Sequence, residues 1–262
     1  MGKLAALSHP EAMAPAMLKR LAMIDPDLRE RFPLGLKVLQ ERGVITNRTL
    51  TDLRPMEYER VVQMMLVLLI DLAYGEMASL AKLSAKPLVL QAAVTAALAK
   101  RLAEHATTGN VGAAYFCGIV HNLGVPVLAC LEPDRYTEVL ERTSSDQEQL
   151  HQAEAKAFGC GHPEAGLIAA QEWGLGRASL EAIAKHHESI ESLEGNVLCV
   201  SVAAIFAHHL GFHGIDATKP KLDSGIEKLR LMPAHVGALA SVASEEATLV
   251  QALLRPAALL AS

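Results

Sequence analysis

Aromatic residues are scarce, 4% of 262 residues with a single tryptophan, and the β-branched and aromatic mixture that strands favour is thin. That shortage argues against a sheet-built fold, and the alanine and leucine standing in its place point to an all-α chain. No sign of charge dominates: 24 Lys and Arg against 29 Asp and Glu leave a formal −5. A broad attraction to nucleic acid or to an anionic membrane surface is therefore not expected. The four cysteines, Cys117, Cys130, Cys160 and Cys199, contain no C-x-x-C pair and lie among apolar or small residues. They read as reduced core thiols of a cytoplasmic protein rather than a disulfide or metal framework. The most apolar run, residues 64–70, stops at Asp71, far short of the roughly 20 residues a bilayer crossing needs. MGKLAALSHPEAMAP lacks the apolar segment of a signal peptide. There is no phosphate-cradling loop, since GNVGAAYFCG has neither a lysine nor a preceding strand, and no nucleophile elbow, kinase signature or internal repeat.

What the chain does have is a succession of helical patterns. A first helix is expected to open at His9-Pro10-Glu11 and run through Met13, Met17, Leu21 and Ile24, with Asp25-Pro26-Asp27 stopping it and capping a short second helix before Arg31. Pro33, Gly35 and Gly43 punctuate residues 32–51 and predict a helix with ill-defined ends. A long helix starts between Asp52 and Pro55; residues 61–74 are apolar on nearly every side and should be enclosed by neighbours. Ser84 and Pro87 mark another start, for an Ala/Leu-rich helix to about His105, followed by a loop at TTGN (107–110). Small residues then recur at helical spacing, Ala114, Cys117 or Gly118 and His121 on one face and Gly166, Ala169 or Ala170 and Trp173 on another, which lets helix backbones approach closely. After a loop at Glu194-Gly195-Asn196, an apolar helix over residues 197–210 ends at Gly211 and Gly214. A polar linker, DATKPKLDSG, leads to amphipathic segments around 226–231, 236–242 and 247–254 that should pack back on the bundle.

Four of the eleven histidines, His121, His162, His186 and His187, fall on three separate helical patterns, the way a bundle assembles one polar site from distant sequence. His121 precedes Asn122 at a helix end. An imidazole beside a carboxylate would serve a divalent cation, but the amide of Asn122 removes the charge, so His121 is read either as a hydrogen-bonded structural residue or as a ligand or anion contact. His162, before Pro163 and Glu164, fits the start of the helix that reaches Trp173. Leu180, Ile183, His187 and Ile190 form an i, i+3, i+7, i+10 stripe, which predicts that His187 points inward and meets His121 while His186 is offset by about 100°. A second group, His208, His209 and His213, lies at a helix C-terminus, where the dipole favours a protonated ring.

GIVHNLGVPVL resembles the His-Asp region of HD-superfamily proteins, and AFGCGHPEAGLIAAQEWGLG followed by EAIAKHHE is similar to the second half of the HDOD (HD-related output domain) proteins of bacterial signalling. Order and spacing agree over roughly residues 87–212, with thinner likeness at IDPDL, at ITNRTLTDLRPMEYERVV and at GIEKLRLMPAHVGALASVA. The resemblance implies an HD-like helical core at 87–214, an N-terminal helical subdomain at 1–86 and a C-terminal helical extension at 215–262, all one unit. Of the HD metal quartet it leaves His121 alone: the first ligand falls near Gln91, the Asp on Asn122, and the last Asp near Ala203 or Ala204. His162, His186 and His187 match further histidines of HD-GYP-like sequences. The expectation is a non-catalytic signalling output or scaffold that works through contacts with signalling proteins and carries no cofactor. Two alternatives stay open: a divergent phosphohydrolase holding Fe, Mn, Ni or Zn on His121, His162, His186 and His187, and a sensor of a nucleotide or small anion.

Overall fold

The computed structural model describes residues 13–106, 110–146, 148–216 and 221–254; the fold is built of helices joined by turns, with no strand among the described residues. The start expected at residues 9–11, the loop at 107–109 and linker residues 217–220 lie outside the described residues. Helix α1 is Pro15–Ile24, and Asp25 ends it and caps α2, Pro26–Glu41, its carboxylate accepting from the N–H groups of Asp27 and Leu28. The second helix does not stop before Arg31. It runs through Pro33 and Gly35 because Pro33 faces solvent, where the carbonyl it leaves unpaired can be hydrated, while Gly35 sits against Met64.

Helix α3, Pro55–Leu80, is buried all round from Val61 to Ile70, which is why its sequence shows no polar face. Two stretches, Pro55–Leu80 and Val111–Leu131, are long and apolar enough to cross a membrane, and they are 72% and 78% buried inside the bundle. The central strut is α4, Ala85–Ala106. It packs on α3, on α5 (Val111–Val120), on α11 (Gly195–His209) and on the last helix, α13 (Pro233–Leu253). The expected segments at 236–242 and 247–254 are one continuous helix, and the segment near 226 is the short α12, Asp223–Lys228. The remaining elements are α6 (Gly124–Leu131), α7 (Pro133–Asp146), α8 (Leu150–Phe158), α9 (His162–Glu172) and α10 (Arg177–Lys185). Buried charge helps tie the last helix down: Arg60 of α3 meets Glu246 of α13 at 2.8 Å, with the Tyr115 hydroxyl donating to the same carboxylate.

Small residues set the spacing between the helices that carry the histidines. A Cβ on Gly118 would lie 2.5 Å from Ala96 Cα, and one on Gly124 would lie 1.8 Å from the His162 carbonyl oxygen and 2.7 Å from Gly166 N. Nothing in a folded protein tolerates such distances, so α5 lies on α4, and α6 on α9, at a separation only glycine allows. Gly166 answers Gly124 across that contact, a Cβ there meeting Gly124 N at 2.8 Å.

Candidate functional site

The close α6–α9 contact brings the end of α5 against the start of α9. His121 follows the last turn of α5, and its Nδ1 lies 2.7 Å from the Gly118 carbonyl, an acceptor, so Nδ1 carries the proton. Its Nε2 is buried without a hydrogen-bond partner. Burial holds this imidazole down to about 4, against the opposing pull of the Gly118 carbonyl. His162 is the first residue of α9, as its Pro-Glu sequel predicts, and Glu164 closes the helix start by accepting from Gly161 N at 3.0 Å.

His186 and His187 exchange the roles expected of them. Buried His186 packs its ring edge-on to His121, centroids 5.2 Å apart, whereas His187 is exposed at the mouth. The stripe through Leu180 and Ile183 holds only to Lys185, where α10 ends; His186 and His187 follow in a turn, so helical spacing no longer tells where they point. The Nδ1 of His186 donates to the Ile183 carbonyl at 2.9 Å and shares the Ala182 carbonyl at 3.2 Å.

The reactive edges converge. His162 Nε2 lies 3.0 Å from His187 Nε2 and 3.4 Å from His186 Nε2, and the ligand atoms of the three rings lie within 4.8 Å of one another. Burial first, and the neighbouring imidazoles second, hold His186 and His187 well below the ordinary histidine range. For His187 this holds although the residue is exposed, because its Nε2 meets His162 and its ring packs against those of His186 and, stacked at 4.2 Å, His151.

Gln91 and Asn122 complete the wall: Asn122 Nδ2 donates to Gln91 Oε1 at 3.0 Å, and Asn122 Oδ1 stands 3.1 Å from His186 Nε2. Of the two alanines, Ala204 lines the cavity and Ala203 is sealed in the apolar core. The cavity measures about 150 Å³ and is bordered on its far side by Ser201, His208, His213 and Asp216. His208 does not behave as a helix-end cation. It is buried, its Nε2 bonds the Asp216 carbonyl at 3.0 Å, and burial lowers its affinity for a proton.

Two participants escape a sequence reading. His151 is one. The other is Glu154, fully buried on α8 behind His162, whose Oε2 accepts from both the Nδ1 and the backbone N–H of His162, at 2.7 and 2.8 Å. The Tyr136 hydroxyl donates to its other oxygen at 2.5 Å. Burial pushes the Glu154 carboxyl up, but attraction to the His162 ring and these hydrogen bonds overcome it and hold the group below the usual range. The available sign was a glutamate on the otherwise apolar stripe of Leu150, Ala153 and Ala157.

The donor set suits one metal ion and not two. His162, His186 and His187 offer three nitrogens at one point, a sufficient protein share of a single transition-metal site. A second ion would need bridging carboxylates; among the described residues none joins that cluster, and Glu188 and Asp216 stand only on the cavity border.

The HDOD domain family matches residues 59–189, from α3 to just beyond His187. No curated protein matches the chain. Among solved structures, an HDOD domain protein with unknown function from Geobacter sulfurreducens is similar at 20% identity, with 95% of this chain and 85% of that chain covered and a TM-score of 0.62. A candidate signal transduction protein from Marinobacter aquaeolei VT8 gives 14% identity and the same TM-score, covering 99% of this chain but 58% of that one. A candidate phosphohydrolase from Shewanella amazonensis SB2B gives 16% identity, 92% and 91% coverage and a TM-score of 0.58. At these identities the likeness is one of fold.

Proposed function

Since the chain belongs to the HDOD domain family, we propose that it is a signal-transduction output module that acts through protein contacts and hydrolyses nothing at its histidine pocket. The observation that carries this reading is the Gln91–Asn122 amide pair. Two-ion hydrolysis holds a pair of divalent cations about 4 Å apart, and even at an effective dielectric of 20 their mutual repulsion is roughly 17 kcal/mol. Carboxylates normally offset it. Here the aligned positions are amides bonded to each other, His121 and Ala204, and the cavity's own carboxylates, Glu188 and Asp216, stand on its border outside the histidine cluster. The one buried carboxylate behind them, Glu154, is already engaged by His162 and Tyr136.

The test is hydrolysis by purified chain of bis-p-nitrophenyl phosphate and of cyclic dinucleotides with Mn(II) or Fe(II). No turnover above that of His121→Ala is expected. Turnover that His121→Ala abolishes would overturn the reading.

A second reading has its own observation. His121 Nε2 and His208 Nδ1 are buried without partners, and both residues border the cavity. Unpaired polar atoms there favour a pocket that senses a small polar ligand and relays its presence to a signalling partner. A nucleotide that binds should raise the melting temperature of the wild-type chain and not of His121→Ala, whereas a flat panel would count against a sensor.

A further inference from the structure

We propose that Glu154, which does not reach the cavity itself, is the positioning residue of a single-ion, imidazole-only metal centre formed by His162, His186 and His187. The inference concerns the same pocket as the signalling reading without resting on it.

Which ring nitrogen carries the proton is set by the groups behind each ring. His162 Nδ1 faces a carboxylate and His186 Nδ1 faces carbonyls, and neither partner can donate. His162 is thereby an Nδ1–H tautomer, and His186, with two carbonyls at Nδ1 and Asn122 Oδ1 3.1 Å from Nε2, meets acceptors on both sides; with its proton on Nδ1, where the closer contact lies, the neutral rings present bare Nε2 lone pairs 3.4 Å apart with the Asn122 oxygen beside them. Two lone pairs at that distance repel, and no hydrogen bond can form between them. Two nitrogens each about 2.1 Å from one tetrahedral ion stand about 3.4 Å apart, so the same arrangement is what such an ion would require. His187 Nε2, 3.0 Å from His162 Nε2, supplies the third corner. Behind the trio, His121 presents its own unpartnered Nε2 to the cavity and Asn122 its Oδ1.

Glu154 explains how a neutral lining could hold a doubly charged ion. Its carboxylate is fully buried and bonded to His162 Nδ1, the carboxylate–histidine arrangement that orients a ligand ring and makes its far nitrogen more basic. Tyr136 and the His162 backbone N–H hold the carboxylate in place from two further directions. The negative charge sits one residue removed from the ion, where it adds affinity without occupying a coordination position. With three imidazoles and no oxygen anion in direct reach, the ion selected is a late first-row divalent cation such as Zn(II), Co(II) or Ni(II), and not Mg(II) or Ca(II).

The test uses the full chain stripped by chelator and titrated with Co(II), read by the visible d–d bands, with Zn(II) affinity measured by competition against a chelating dye. One equivalent should bind, and Mg(II) in excess should not compete. Glu154→Gln is the decisive variant: an amide can accept from His162 and meet Tyr136 in the same space, so only the charge is removed. Affinity should fall 10- to 100-fold with an altered cobalt spectrum. His162→Ala should abolish binding, and His105→Ala, in a separate histidine pair with His235, should not. Tyr136→Phe removes a donor from Glu154 and concentrates its charge on His162, so binding should tighten severalfold. The proposal is overturned if the wild-type chain binds neither Co(II) nor Zn(II), if Glu154→Gln binds as tightly as wild type, or if Tyr136→Phe weakens binding. A chain that binds cobalt and also hydrolyses phosphodiesters would sink the signalling reading and leave this one standing.

Discussion

Acidifying the metal-free chain from pH 7.5 to 5 should remove about 2 kcal/mol of stability through His121 alone. The ring is 1% exposed, and burial lowers its proton affinity from the ordinary 6.5 to about 4. With the folded value below the unfolded one, the unfolded chain binds the proton first as pH falls. The contribution of the neutral buried ring is therefore intact above about pH 6.5 and is lost progressively down to about pH 4. At about 1.4 kcal/mol per pH unit, the gap between those values amounts to roughly 3 kcal/mol, of which about 2 kcal/mol is gone by pH 5. His186 and His187 act with the same sign, both being held well below the ordinary value. Such a loss matters against a total stability of about 5–15 kcal/mol. Urea unfolding of wild type and His121→Gln, followed by circular dichroism at pH 7.5, 6.5, 5.5 and 5.0, isolates the term, because glutamine does not titrate. The stability advantage of wild type over the variant should shrink by about 2 kcal/mol across that range. An advantage that stays constant would refute the claim that His121 is buried neutral.

Other changes test the scaffold that presents the site. Gly124→Ala forces a Cβ to within 1.8 Å of a backbone oxygen that has no room to move, and should cost about 3 kcal/mol or more while displacing His162 and weakening cobalt binding. Gly75→Ala, inside α3 with nothing within 4 Å of its Cβ, should instead raise the urea midpoint by an amount worth about 0.5–1 kcal/mol. Arg60→Met strands the buried Glu246 carboxylate, and a loss of roughly 3 kcal/mol is expected, largely recovered in the double variant with Glu246→Gln. Asp25→Ala removes the acceptor of two N–H groups at the start of α2 and should lower stability by about 1 kcal/mol.

Much of the fold could be read from local rules because it obeys them. Asp25-Pro26 caps one helix and begins the next, Pro55 opens the long apolar α3, and the stripe of small residues through Gly118 does let α5 rest on α4. Extrapolation failed where a pattern outran its element. Pro33 and Gly35 read as interruptions, yet one faces solvent and the other a neighbouring helix, so neither breaks α2. The stripe that put His187 inside crossed the end of α10, and beyond Lys185 the turn decides direction, sending His186 inward. His162, His186 and Asn122 could be named from the sequence as neighbours. The tautomers could not, because they depend on which carbonyl or carboxylate stands behind each ring.

Glu154 shows why counting carboxylates at aligned positions misjudges such a pocket. The aligned positions carry amides, an imidazole and alanine, and on that ground alone the site reads as a remnant unable to hold a cation. Yet in the centre proposed above a carboxylate bonded to the back of His162 would act on the ion through that ring, and its sequence position is set by α8, not by the residues that line the cavity. Under the two proposals, loss of two-ion hydrolysis and retention of one-ion binding would be separate outcomes, governed by different residues. Gln91 and Asn122 bear on the first, Glu154 and His162 on the second. A signalling module can lose the former and keep the latter, because binding one ion asks only for fixed lone pairs and one buried charge behind them.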